Sequence, residues 1–191
     1  MATAMRIDPF RILAATLLLA ALASPVLAAT PTASEIDEVQ ATLGIDLVTS
    51  ITMDRIDHIQ PLARTPSTKR ACFKEQVGAF IAKEMDERAV AAFGTSERVG
   101  ELLAWSRSQA GAKFVAFVRA GVPAMMDGAP LDLATFKATV TEAELLDTAR
   151  FLNTPPGLAL REYVSLPGEF LPDAKFFAAF RTCGIDPKTG R

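Results

Sequence analysis

Few residues in this chain have a type and spacing that could do chemistry. His58 is the one histidine, with Asp54 and Asp57 beside it. A nucleophilic triad would add a Ser or Cys held in a strained turn, and no Gly-x-Ser-x-Gly elbow occurs. A zinc site takes three or four His, Cys or carboxylate ligands at suitable spacing, which one histidine and two distant cysteines do not offer. Asp54 with Asp57, and Asp86 with Glu87, are close in sequence but lack the oxygen-rich loop that binds calcium. Neither a Gly-x-x-x-x-Gly-Lys-Ser/Thr loop nor a Gly-x-Gly-x-x-Gly turn is present. His58 therefore reads as a surface residue or one half of a helix-side ion pair. No catalytic residue, metal ligand or cofactor is assigned. An enzyme assembled from Asp, Glu, Lys and Tyr163 without any motif is the outlying reading.

Cys72 and Cys183 are the other reactive pair. The first 28 residues read as a secretory signal peptide. Arg6 and Arg11 precede the apolar run Ile12 to Ala23, and Val26-Leu27-Ala28 offers a cleavage site. Export to an oxidising compartment favours a Cys72–Cys183 disulfide. Such a bond would tie the first long helix to the C-terminus. Closing so long a loop is worth up to ~4.7 kcal/mol by chain entropy. Two separate buried thiols are the alternative, since free cysteine is among the most buried residue types. A 12-residue apolar run is too short to span a bilayer, which takes about 20. No stable membrane span is expected after cleavage.

The elements that position these residues are helical throughout. Ile36, Val39 and Leu43 recur at helical spacing until Gly44, with Ser34 as the expected cap. Leu47, Val48, Ile51, Ile56 and Ile59 follow, closed by Pro61 and Pro66. Ser67 or Thr68 would cap the longest run. There Cys72, Phe73, Val77, Phe80, Ile81, Met85, Ala89, Ala92 and Phe93 line one face and charged residues the other. Gly94 ends it and Ser96 would cap the next helix. Asp132 would cap a short helix bearing Phe136, and Thr141 with Glu144 forms a capping box. No alternating Val/Ile run calls for a strand.

One short pattern occurs twice. Trp105, Ser108, Gly111 and Phe114 are spaced three apart, and Phe151, Thr154, Gly157 and Leu160 repeat that spacing 46 residues later. Each set reads as a helix end, a turn capped by the hydroxyl, and a new helix that starts near a glycine. The expected fold is all-α: a compact bundle of six to eight short helices with two helix-turn-helix corners. Residues 29–191 would make a single helical domain.

The stretch around the first corner resembles the domain of unknown function 2059 family, uncharacterised exported bacterial helical proteins. Phe93, Ser96, Glu97, Leu102, Leu103, Trp105, Ser106, Ser108, Gly111, Lys113 and Pro123 carry the resemblance. Trp105-Ser106 stands where that family has Phe-Tyr. The resemblance implies an exported helical protein with no established activity, and it transfers no catalytic residue.

Charge and aromatics bound the function. Without Arg6, Arg11 and Asp8 the chain carries 18 basic and 21 acidic residues (18 − 21 = −3). No basic excess remains to neutralise phosphates, which argues against a nucleic-acid partner. The cluster of Arg64, Lys69, Arg70 and Lys74 reads as a solvated helix start. Twelve Phe stand against one Tyr and one Trp. Phe114, Phe117, Phe136, Phe176, Phe177 and Phe180 crowd the C-terminal half. They could line an apolar groove that takes a hydrophobic small molecule or an amphipathic peptide segment, or close up as an ordinary core. A structural or envelope-stress interaction protein working through its helical surface is the alternative. No residue pattern sets an oligomeric state.

Overall fold

The structure, a computed structural model, describes residues 28–164 and 173–190. The expected signal peptide, apart from Ala28, and the Pro167-Gly168-Pro172 loop lie outside the described residues. Among the described residues there are nine α-helices, a single 3-10 turn and no strand. They are α1 (Ala33–Leu43), α2 (Ile45–His58), α3 (Ser67–Phe93), α4 (Ser96–Ser106), α5 (Gln109–Met126), α6 (Leu133–Thr139), α7 (Glu142–Phe151), α8 (Pro155–Val164) and α9 (Asp173–Thr182). The all-helical bundle is as the periodicity predicts. The count exceeds six to eight, and the interruption of the first apolar run falls, as its spacing indicates, at Gly44. Its φ of 78° ends α1 in the left-handed region, and α2 begins at the next residue.

α3 is the spine. Its 27 residues bury Phe73, Val77, Ile81, Met85, Ala89, Ala92 and Phe93, a stripe of spacing four, four, four, four, three and one. Full burial of a large apolar side chain stabilises by about 1.5–3 kcal/mol, so this helix anchors the core. α1, α2, α4, α8 and α9 all pack against it. One contiguous apolar cluster includes side chains from all nine helices.

Three caps differ from the sequence expectation. Thr32, not Ser34, caps α1 and forms a capping box with Glu35. Thr95, not Ser96, caps α4 by accepting the Arg98 N–H. Pro66 precedes α3 with no side-chain cap, so neither Ser67 nor Thr68 serves. Thr32 lies two residues from Ser34 and Thr95 next to Ser96, and helical spacing does not say which of each pair has extended backbone. Ser96 instead donates its hydroxyl to Thr30 O (3.1 Å) and to Glu35 (3.0 Å), joining the start of α4 to the start of α1. Asp132 and Thr141 cap α6 and α7 as their spacing predicts, the latter with Glu144.

Candidate functional site

The two corners are built alike. At the first, the Ser108 N–H donates to Trp105 O (2.8 Å), Ser108 Oγ accepts the Gly111 N–H (3.1 Å), and the Ala112 N–H returns to Ser108 O (2.8 Å). At the second, Thr154 N–H to Phe151 O and Leu158 N–H to Thr154 O are each 2.8 Å, and Thr154 Oγ1 accepts the Gly157 N–H at 3.4 Å. A side chain on either glycine would strike backbone. A Cβ at Gly111 would lie 2.0 Å from Trp105 O, and one at Gly157 2.0 Å from Phe151 O. The match extends outward. α4 and α7 begin 46 residues apart, as do α5 and α8, and the caps Thr95 and Thr141 keep the same offset.

Space brings the two copies together. α4 packs against α8, and α5 packs against α7. The first helix of each unit thus meets the second helix of the other. At the crossing, Trp105 lies flat on Phe151, with ring centroids 3.9 Å apart and planes 4° from parallel. The indole N–H donates to Asp147 Oδ2 at 3.2 Å. Phe114, on the first turns of α5, meets Trp105 at 5.7 Å and Phe136 at 5.6 Å edge-on. Phe117 joins this group at 5.1 Å from Phe136. Leu160, the second unit's counterpart of Phe114, is buried in the core.

An ion pair locks the same crossing. Lys113 Nζ on α5 donates to Glu144 Oε2 on α7 at 2.8 Å. That oxygen also takes the Thr141 N–H (2.8 Å) and the Thr141 hydroxyl (3.1 Å). Glu144 is buried, and its other oxygen, Oε1, accepts no bond within the structure. The Lys113 hydrogen bond first, and the Thr141 N–H second, hold the carboxyl down to about 2 from an ordinary 4.5. A depressed folded pKa contributes stability above the unfolded value. That contribution fades as pH falls from about 4.5 toward about 2. We expect the melting temperature of the natural chain to drop across this window more steeply than that of Glu144→Gln, measured by circular dichroism. Parallel acid profiles for the two proteins would show that Glu144 has no part in it.

The six phenylalanines expected to line one groove divide into two groups. Phe114, Phe117 and Phe136 belong to the corner crossing. Phe176, Phe177 and Phe180 lie on α9 with Phe73 of α3, at 5.2 Å for Phe73–Phe176 and 4.6 Å for Phe73–Phe180. Phe114, Phe136 and Phe180 are buried, each against the rings of its own group, Phe117 and Phe176 are half-buried, and Phe177 is 45% exposed. The sequence places the phenylalanines in one half of the chain. It does not show that the long α3 collects three of them at the far end.

Cys72 and Cys183 are joined by a disulfide with a Cα–Cα distance of 5.8 Å. The basic cluster is largely spent on neighbours. Lys74 and Arg70 meet Asp57 at 2.5 and 3.6 Å, and Lys69 donates to Gly184 O at 2.5 Å. The Lys74 hydrogen bond keeps the Asp57 carboxyl below its usual value. His58 is exposed at the end of α2. Tyr163 is buried against Phe93, and burial drives its hydroxyl well above the ordinary range, with the Asp86 charge adding to it. Among the described residues no three His, Cys, Asp or Glu side chains gather to hold a metal ion. Among them, too, no helix is long and apolar enough to cross a membrane. A scan against protein-family models finds no match to this chain, and searches of curated proteins and of solved structures return none that is significant.

Among the described residues, the large apolar side chains exposed to solvent are Ile59, Leu133, Leu146, Leu158 and Phe177. Four of the five follow residue 130, one each on α6, α7, α8 and α9. The corner repeat makes two of them informative. Leu146 and Leu158 stand where the first unit has Gly100 and Ala112. Both Gly100 and Ala112 are exposed, and Gly100 has open space around it. The same outward positions carry small residues in one copy and leucine in the other, so the local fold does not demand leucine there.

Proposed function

We propose that the chain acts by binding, holding a hydrophobic ligand or an amphipathic partner segment against apolar side chains on its C-terminal helices. The observation that carries this is the outward pair Leu146 and Leu158, half exposed at positions the first corner fills with Gly100 and Ala112. Scattered surface leucines are ordinary, but these two occupy positions whose counterparts in the first corner are small, which sets them apart from the needs of the corner itself. The burial of Phe114, Phe136 and Phe180 favours a surface contact over an internal ligand site. The alternative, an envelope structural or stress-related interaction protein, uses the same surface. An enzyme without a motif is the weaker reading, since Tyr163 is buried against Phe93, apart from His58 and its neighbour Asp57 at the surface. Export through the N-terminal leader and residence in the periplasm belong to this proposal. So does kinship with the domain of unknown function 2059 family, which rests on the residues from Phe93 to Pro123.

A photo-crosslinking amino acid placed at 146 or 158, in the source cell, tests it. We expect a recurrent adduct at both sites and none at the matched positions 100 and 112. Equal labelling at all four positions, or none at any, would remove the support for a binding face here.

A further inference from the structure

The C-terminal helix is attached through one face and one covalent bond. α9 runs antiparallel along the first half of α3. Cys183 is bonded to Cys72 at one end, Phe180 and Phe176 cover Phe73 in between, and Lys175 Nζ sits 5.6 Å from the Phe80 ring at the other. Eight residues separate Cys183 from Lys175, and eight separate Cys72 from Phe80. The two helices are therefore in register over about two turns. α3 is the chief packing partner of α9. α3 itself has four other helices against it, so its place in the core does not depend on α9. Phe73 is 0% exposed, although it sits near the outer end of the spine, because α9 lies over it.

We infer that α9 is a self-docked helix latched by the Cys72–Cys183 bond, and that reduction releases it and bares the Phe73–Phe80 stripe of α3. The reductant is a dithiol, either a protein carrying a vicinal thiol pair or a small dithiol. Its thiolate attacks the sulfur of Cys72, the less buried of the two residues. The Cys72–Cys183 bond breaks, a mixed disulfide forms at Cys72, and Cys183 leaves as a thiolate that takes up a proton. The second thiol of the reductant then displaces Cys72. Two electrons and two protons pass to the pair of cysteines, and the dithiol becomes its disulfide. What remains at α9 is its apolar face, Lys175 over Phe80, and just beyond it the Lys69 bond to Gly184 O and the buried Ile185, contacts that open and close without the covalent tie. This inference stands apart from the binding face on α7 and α8.

Hydrogen exchange read by mass spectrometry on the full chain tests it, comparing oxidised protein, protein treated with dithiothreitol, and Cys183→Ser. On reduction, exchange in peptides covering α9 should rise at least about tenfold, with α5, α7 and α8 unchanged. Cys183→Ser without reductant should behave like the reduced protein. Unchanged α9 protection in the reduced protein and in the variant would show that the bond does not hold the helix. Simultaneous loss of protection in all helices would show that it staples the whole fold and is no latch.

Discussion

Gly111→Ala and Gly157→Ala should each lower stability by about 3 kcal/mol or more, where an alanine in a helix ordinarily helps. In a helix interior alanine is favoured over glycine by roughly 0.8–1.0 kcal/mol. At these two sites the added carbon would have to displace main chain. Its nearest neighbours at Gly111 are Trp105 O at 2.0 Å and Trp105 C at 2.7 Å, and at Gly157 Phe151 O at 2.0 Å and Leu152 Cα at 2.6 Å. Those atoms belong to the end of the preceding helix, so no rotamer change relieves the clash. The same carbonyls accept the Ser108 and Thr154 N–H bonds, so moving them opens the turn as well. Overpacking typically costs about 1–3 kcal/mol, and a backbone clash belongs at or above the top of that range. Gly100→Ala supplies the control. With nothing near its Cβ, it should stabilise by about 0.5–1 kcal/mol. Urea unfolding followed by circular dichroism reads all three. If Gly111→Ala is neutral or stabilising, the corners are not held by close backbone approach.

Trp105→Ala should be the next most damaging change, at about 3 kcal/mol, with Phe151→Ala close behind. Truncating a buried aromatic to alanine costs roughly 3–5 kcal/mol. Trp105 is only half-buried, which places it at the lower end. It nonetheless contacts both units, stacking on Phe151, touching Phe114 and donating to Asp147. Its loss removes the ring against which the second corner rests. Urea unfolding provides the number. A change below about 1 kcal/mol, the scale of an ordinary surface substitution at most, would show the stack to be incidental.

The parts of this architecture that could be read from the residues are local. Ser108 with Gly111, and Thr154 with Gly157, fix turn geometry within four residues, so their spacing alone predicts both corners. The α3 stripe is legible for the same reason, because its period reports a face. What the spacing could not convey is which distant surfaces meet. A 46-residue repeat says that two corners are alike, but only the packing of α4 on α8 and α5 on α7 brings Trp105 onto Phe151. Nor does the list of phenylalanines reveal that three of them follow α9 to Phe73 while three stay at the corners. Lys113 with Glu144 is a similar case. Glu144 is visible as the third residue of a capping box, yet its ion pair to another helix leaves no trace in local sequence. The misplaced caps at Ser34 and Ser96 arise where a nearby threonine has the extended backbone instead, and at Ser67 the helix starts from Pro66 with no hydroxyl cap.

The pairing of the two corners is tested most directly by a double-mutant cycle between Trp105→Ala and Phe151→Ala in urea unfolding. A stacked pair at 3.9 Å predicts a coupling of about 0.5–1.5 kcal/mol beyond the separate effects. Strictly additive losses, with a coupling indistinguishable from zero, would contradict it.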